Sequence, residues 1–356
     1  MSAAPQGKGQ KGIRLALDAM GGDHAPVAMI QGAIDFAQAN PDHHIVLVGR
    51  GHDIESCLKA EAKAHKRGLP TTLSIEDAPE VIGMADKITA LKEKPNDSMN
   101  RCAQLVKAGK ADGMVLCGNT GCSVAAAQFH LRRIPGVKRA GILVPLPTPK
   151  LHTWICDGGA NTVCRPEHLV QFAELSAAYL ETACKRPNPK IGVLSIGEED
   201  VKGHELQQSA LELLRKTDLN IVGNVEGHDI YTGDIDIVVC DGFTGNVVLK
   251  TSEGVLEAVL KILKEEIYSS LQTKIGGRLV RPAFEALKKR GHWSYIGGCP
   301  LVGVDGVVII GHGRSNRLAV FNALRQAATG VETKVVASMR ERLKALAAVE
   351  AAGAAA

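Results

Sequence analysis

Short stretches of aliphatic and β-branched residues recur along the chain, at Ile13 (IRLALD), His44 (HIVLVG), Gly113 (GMVLC), Ile191 (IGVLSIG), Asp236 (DIVVCD) and Gly306 (GVVIIG). Each runs apolar without alternation, as a strand covered on both faces does. Between them the apolar positions return at helical spacing. The alternation predicts an α/β protein: a mostly parallel sheet with helices on both faces. At 356 residues the chain is long enough for two lobes. Residues 1–12 and the alanine-rich end, 345–356, offer no patterned face and are expected to be tails, leaving 13–344 as a two-lobed α/β domain.

A second pattern lies on the first. Strand, glycine-rich loop and helix follow one another as ALDAMGGDHAP, VLCGNTGCS, ICDGGANTV, LSIGEEDVKG, VCDGFTGN and IIGHGRSN. In open α/β sheets the carboxyl ends of strands meet helix N-termini, whose free N–H groups and positive dipole favour anions, so the expected ligand is phosphate-like. The loops nominate Asp18, Gly21, Gly22, Asp23 and His24, then Asn119, Thr120 and Gly121, then Asn161, Lys202, Asp241 and Asn246, and finally His312, Arg314 and Ser315. Each polar candidate has a plainer reading. Asp23 is equally suited to cap a helix opening at Ala25–Pro26, Ser315 to cap the helix after it, His24 to be a satisfied loop histidine and Lys202 to be a solvated surface lysine.

Composition narrows the chemistry. Aromatics make up only 3% of the chain, which leaves little for stacking nucleic-acid bases, and the net charge of +4 implies no polyanionic partner by itself. The nine cysteines include no C-x-x-C pair, and several sit in apolar runs, as reduced core thiols do. No signal-peptide pattern or long apolar span is present, so a cytoplasmic protein is expected.

Familiar motifs fail on context. Gly7, Gly9 and Gly12 match G-x-G-x-x-G but precede the first strand, and no G-x-x-x-x-G-K-[ST] occurs. His204-Glu205 lacks the second histidine of a zinc helix, and Ser195 in GVLSIG misses the hydrolase elbow by one residue. Neither a metal nor a cofactor is expected.

Taken in order, DAMGGDHAP, GNTG, GAN followed by CRPEHL, IGEE with KG, GNVEG, DGFTGNVVLKTSEG and the closing HG-x-SN resemble the phosphate acyltransferase (PlsX) family of phospholipid synthesis, from about Ile13 to the helix after Asn316. The resemblance implies transfer of a fatty acyl group from acyl carrier protein to inorganic phosphate. It also implies a fold like isopropylmalate dehydrogenase and phosphotransacetylase, a homodimer, and a place at the inner membrane surface beside a glycerol-phosphate acyltransferase that consumes the acyl phosphate. Cys117 and Cys122 stand where smaller residues are expected and Ala140 where proline is usual, which alters loop packing without removing a candidate group.

In that chemistry a phosphate oxygen attacks the thioester carbonyl and a thiolate leaves. A thiol of pKa near ~8.5 departs with little help, so the protein mainly positions and neutralises charge. Lys202 and Asn246 are the leading catalytic candidates, as donors to phosphate or to the developing oxyanion. A coenzyme A-dependent short-chain phosphate acyltransferase and a non-catalytic phosphate-binding scaffold at a membrane are the alternatives.

One segment stands apart. From about 253 to 290, Leu256, Val259, Leu260, Leu263, Ile267 and Leu271 form one apolar stripe, and after a break expected at Gly276-Gly277 a second holds Leu279, Val280 and Phe284. Residues 271–290 carry six cations against Glu285. A basic amphipathic hairpin of this kind suits an anionic membrane surface, or packing of the stripes on each other or on a second subunit.

Overall fold

The computed structural model describes residues 12–64, 68–291 and 293–355, so nearly all of the expected N-terminal tail lies outside the described residues. The chain forms two compact units, one of residues up to Leu131 with Gly306–Glu332, the other of Arg132–Asp305 with the chain from Thr333 onward.

The first unit holds β1 (Arg14–Asp18), α1 (Val27–Ala39), β2 (His44–Gly49), α2 (Gly51–Ala64), β3 (Leu73–Asp77), α3 (Ala90–Glu93), α4 (Ser98–Lys107), β4 (Gly113–Leu116) and α5 (Thr120–His130). The late elements β12 (Val307–Gly311) and α12 (Arg317–Glu332) complete it. Its strands lie in the order β3-β2-β1-β4-β12, all parallel. The apolar runs at Ile13, His44, Gly113 and Gly306 are four of these strands, and β4 and β12 are buried along their whole length. Helices α1 and α12 close on each other at Gly32, where a Cβ would stand 2.6 Å from the Val320 Cβ.

The second unit contains β5 (Gly141–Ile142), β6 (Val144–Pro147), β7 (His152–Cys156), α6 (Pro166–Thr182), β8 (Ile191–Leu194), α7 (Glu205–Leu214), β9 (Ile221–Val225), β10 (Ile237–Val239), α8 (Gly242–Ile267), α9 (Leu271–Leu279), α10 (Arg281–Gly291), α11 (Trp293–Ile296), β11 (Gly298–Val302) and α13 (Val335–Ala355). Its five-stranded sheet has the order β6-β7-β10-β8-β9. Strands β7, β10, β8 and β9 are parallel, and the proline-bearing β6 joins antiparallel at the edge, where a missing N–H does least harm. Strands β5 and β11 pair antiparallel. Helix α13 continues through the alanine-rich end that patterning left as a tail, since alanine favours helix without supplying a patterned face.

The basic segment also differs from its reading. The chain breaks at Tyr268–Ser270, where Ser270 caps α9, and again at Val280, while Gly276 and Gly277 lie inside α9. Gly277 is there for contact: a Cβ on it would stand 2.5 Å from Ile267, so glycine lets α9 fold back on the end of α8. Beyond that contact the stripes do not bury each other. The buried residues of α8 are Gly242 and Gly245 alone, both in its first turns, and α9 has none. Leu279 is 77% exposed and Val280 47%, with Phe284 half-buried.

Candidate functional site

In the second unit, the loops after β7, β10, β8 and β9 all leave the same edge of the sheet, because those strands run parallel and adjacent. The loop after β7 is organised by Asp157, a fully buried carboxylate. Its Oδ1 accepts from the N–H groups of Ile142 (2.9 Å), Gly159 (3.1 Å) and Ala160 (3.0 Å), and its Oδ2 from the N–H (2.7 Å) and side-chain amide (2.8 Å) of Asn161. Burial raises the Asp157 pKa, and these donors oppose the shift by holding the charged form. Asn161 is spent on structure as well, its Nδ2 also donating to the Ala140 carbonyl at 2.7 Å.

The start of α8 docks on this loop. Gly242 N–H donates to the Asn161 carbonyl at 2.7 Å, and a Cβ on Gly245 would stand 2.0 Å from the Asp157 carbonyl oxygen. Asp241 caps the helix, accepting from the Thr244 N–H (2.9 Å) and hydroxyl (2.7 Å). One turn on, Asn246 lies against Gly159, where a Cβ would be 3.5 Å from its Oδ1. Its amide is exposed and makes no hydrogen bond among the described residues.

Lys202 sits in the loop after β8, the strand beside β10. Its N–H donates to the Glu199 carbonyl (2.9 Å) and its side-chain stem covers Gly197. The ammonium is exposed and pairs with no carboxylate among the described residues. Asn161, Asp241, Asn246 and Lys202 therefore come from three neighbouring strands on one sheet edge, two as scaffold and two with donors unspent. A cleft of about 380 Å³ nearby, lined by Glu198, Asn224, Asp229 and Asp234 among others, holds three acids and no cation, a poor match for phosphate.

The remaining candidates belong to the first unit, on the loops after β1, β4 and β12, again adjacent parallel strands. Gly22 takes φ +95° between two carbonyls: a Cβ would lie 2.7 Å from the Cys117 oxygen and 2.9 Å from that of Gly313. Gly21 is equally hemmed, 2.4 Å from Asp18 Oδ2 and 2.8 Å from the Cys117 oxygen. Asp18 is fully buried at the end of β1, its Oδ1 accepting from Met20 N–H at 3.0 Å, with Ser98 and the Gly21 N–H also favouring its charged form. Burial pushes its pKa up to about 6.

Asn119 is a tie rather than an open donor. Its Oδ1 caps α5 through Cys122 N–H (3.1 Å) and its Nδ2 donates to the Met84 (3.0 Å) and Asp86 (2.8 Å) carbonyls. Thr120 and Gly121 are exposed in the first turn of that helix. Asp23 does not cap α1: the residue before the helix is Pro26, with no side-chain cap, and Asp23 is exposed with its N–H donating to the Gly313 carbonyl at 2.7 Å. His24 is exposed beside it. Nor does Ser315 cap α12, because Asn316 Oδ1 accepts from Ala319 N–H at 3.0 Å, while Ser315 is fully buried against the Cys117 thiol. His312 Nδ1 accepts from the exposed Arg314 N–H at 3.1 Å. Cys117 and Cys122 are buried packing thiols, Cys117 pushed up to about 12 by burial and then by the Asp18 charge.

Asp157 is the residue that sequence reasoning passed over. A strand-ending aspartate followed by G-G-A-N carried the signal, since Asp and Asn side chains fold loops onto their own main chain.

A family model described as "Fatty acid synthesis protein" matches residues 13–338. The chain is 43% identical over 333 residues to the phosphate acyltransferase of Desulforamulus reducens, covering 93% of this chain and 98% of that one. It is 39% identical over 332 residues to the phosphate acyltransferase of Clostridium tetani, with the same coverage. Among solved structures, a phosphotransacetylase from Streptococcus pyogenes shares the fold at a TM-score of 0.61, with 16% identity over 90% of this chain and 94% of that one.

Proposed function

Because the chain belongs to the fatty acid synthesis protein family and is an acyltransferase that uses phosphate as acceptor, we propose that its donor is a fatty acyl thioester on acyl carrier protein. A phosphate oxygen attacks the thioester carbonyl, a tetrahedral oxyanion forms, the C–S bond breaks, and the acyl phosphate and carrier thiolate part. Lys202 and Asn246 carry this reading: two exposed donors, on loops from adjacent strands, that the fold has not used elsewhere. Lys202 balances phosphate charge, and the Asn246 amide donates to the oxyanion, a contact worth about 3 kcal/mol in a transition state. Asp157, Asn161 and Asp241 hold the start of α8 in place.

The length of the acyl group is supported by apolar side chains on the same loops. Val163, Ile196, Val201 and Phe243 are 79%, 79%, 77% and 64% exposed, with Val247 beside them on α8. Five large apolar groups in water, on the loops and helix start that carry the two polar donors, suit a hydrocarbon chain, which an acetyl donor does not bring.

In this reading the loops after β1, β4 and β12 serve as a phosphate- and substrate-binding set of the first unit, with Asp23, His24, Thr120, Gly121, His312 and Arg314 offering exposed or half-exposed groups and Asp18, Gly21, Gly22, Asn119 and Ser315 fixing the loops. The exposed apolar face of α8 is assigned to a second copy of the chain. Leu279, Val280 and Phe284, with the cations of α9 and α10, are assigned to the anionic inner face of the cell membrane, where a glycerol-phosphate acyltransferase takes the product. No helix among the described residues is long and apolar enough to cross a membrane.

The test is turnover in phosphate buffer with palmitoyl carrier protein, palmitoyl coenzyme A and acetyl coenzyme A. Highest kcat/KM with the carrier protein supports the reading. Preference for acetyl coenzyme A transfers the chain to the short-chain class, and no acyl phosphate from any donor leaves a scaffold.

A further inference from the structure

The loop entering β5 and the start of α6 carry an exposed cationic patch outside the groups described above. Arg133, Lys138, Arg139 and Arg165 are all exposed, and none meets a carboxylate among the described residues. They are not scattered. Arg133 Nη1 donates to the Lys138 carbonyl, and Gln171, buried on α6, clamps the loop by accepting from Lys138 N–H (2.8 Å) and donating to the Gly136 carbonyl (2.9 Å). Arg165, at the start of α6, donates its N–H to His168 Nδ1 at 3.1 Å. The patch therefore stands on a fixed frame rather than on a free loop. His168 feels three of the four: burial first, then the charges of Arg139, Lys138 and Arg165, lower its pKa, against the opposing charge of Glu167. Across residues 132–140 and 161–171 the one acid is Glu167, whose Oε2 is buried.

Position gives the patch its meaning. Ala140, next to Arg139, accepts the Asn161 amide at 2.7 Å, and Asn161 belongs to the Asp157 loop on which the start of α8 rests. The cations therefore border the edge that carries Asn246.

We infer that Arg133, Lys138, Arg139 and Arg165 form the docking surface for an acidic protein face, that of the carrier presenting the acyl thioester. The inference rests on the carrier-protein reading above. Four exposed cations spread over a loop and a helix start do not enclose a small anion, whereas charges at the rim of a site act by steering a large partner of opposite sign and fixing its orientation.

The test is Arg133→Glu with Lys138→Glu, and separately the milder Arg133→Gln with Lys138→Gln, each checked by thermal unfolding. KM for palmitoyl carrier protein is expected to rise at least ~10-fold in the charge reversal and by less in the neutral pair. In the wild type it is expected to rise as ionic strength is taken from ~0.05 M to ~0.5 M, where screening shortens the reach of exposed charges. Turnover of octanoyl-N-acetylcysteamine, a small neutral thioester, is expected to stay as in the wild type. An unchanged KM for the carrier protein in folded variants overturns the inference, as does an equal loss with both donors, which would make these side chains part of phosphate binding. If the wild type turns over the small thioester but not the carrier protein, it is the donor reading that fails.

Discussion

Gly245 on α8 approaches Asp157 so closely that a Cβ would stand 2.0 Å from the Asp157 carbonyl oxygen. That contact sets where Asn246, the next residue, begins. Gly245→Ala is expected to push the helix start off the loop, lowering stability by about 1–3 kcal/mol as overpacking does. Acyl phosphate formation should fall at least ~10-fold, because small misplacements of a positioned group weigh heavily on rate. Unfolding curves and turnover measured side by side check this, and wild-type values in both would show that the helix start tolerates displacement.

Lys202 and Asn246 predict the opposite pairing of effects. Both are exposed and make no side-chain hydrogen bond or ion pair among the described residues, so Lys202→Ala and Asn246→Ala should leave the melting temperature near that of the wild type. Each should nevertheless lose ~100-fold or more in kcat/KM for acyl phosphate formation. Normal turnover in either variant removes that residue from the mechanism.

Asp18 makes a prediction about pH. Burial raises its folded-state pKa to about 6, above an unfolded value near ~3.9. Between those values the folded chain keeps a proton that the unfolded chain has lost. The stability held by the protonated carboxyl is thus full below about pH 4 and is lost as pH rises toward 6, by ~3 kcal/mol in all. Asp18→Asn removes this titration, so the variant should gain on the wild type by about that amount between pH 4 and pH 7 in denaturant unfolding. A constant difference across the range would mean that Asp18 ionises at an ordinary pH in the folded chain.

For the helical segment, Leu279→Glu with Phe284→Glu should abolish flotation with anionic liposomes while acyl phosphate formation in solution is kept. The basis is Leu279 lying 77% exposed among cations, each worth about 1 kcal/mol near an anionic surface. Flotation equal to that of the wild type would assign the face to protein contacts alone.

The strands buried on both faces were legible because an uninterrupted apolar run has few other homes: β1, β2, β4, β8, β10 and β12 all coincide with one. Strands β3 and β9 escaped notice at sheet edges, where polar residues and a glycine interrupt the apolar run in LSIED and IVGNV. The prolines of β6 break the apolar run that would mark a strand. In the candidate site, glycine-rich loops announced themselves, but which polar groups are spent on the fold did not. Asn119, Asn161 and Asp241 are identical in kind to a ligand-binding residue until their partners are seen, the Met84 and Asp86 carbonyls, Asp157, and Thr244. The break between helices was misplaced at Gly276-Gly277 because glycine signals a turn in sequence, whereas here it serves close packing on Ile267.

The order in which the chain visits its two units bears on its synthesis. The first unit's sheet lacks β12 until all of Arg132–Asp305 has been made, and the second lacks α13 until after that. On the ribosome, β4 must wait as an unpaired parallel edge for a strand that comes late, with its Val115 and Leu116 uncovered meanwhile. Neither unit can be released whole by cutting the gene at one point, and a nascent chain stalled before Val307 is the form of this protein most in need of a chaperone.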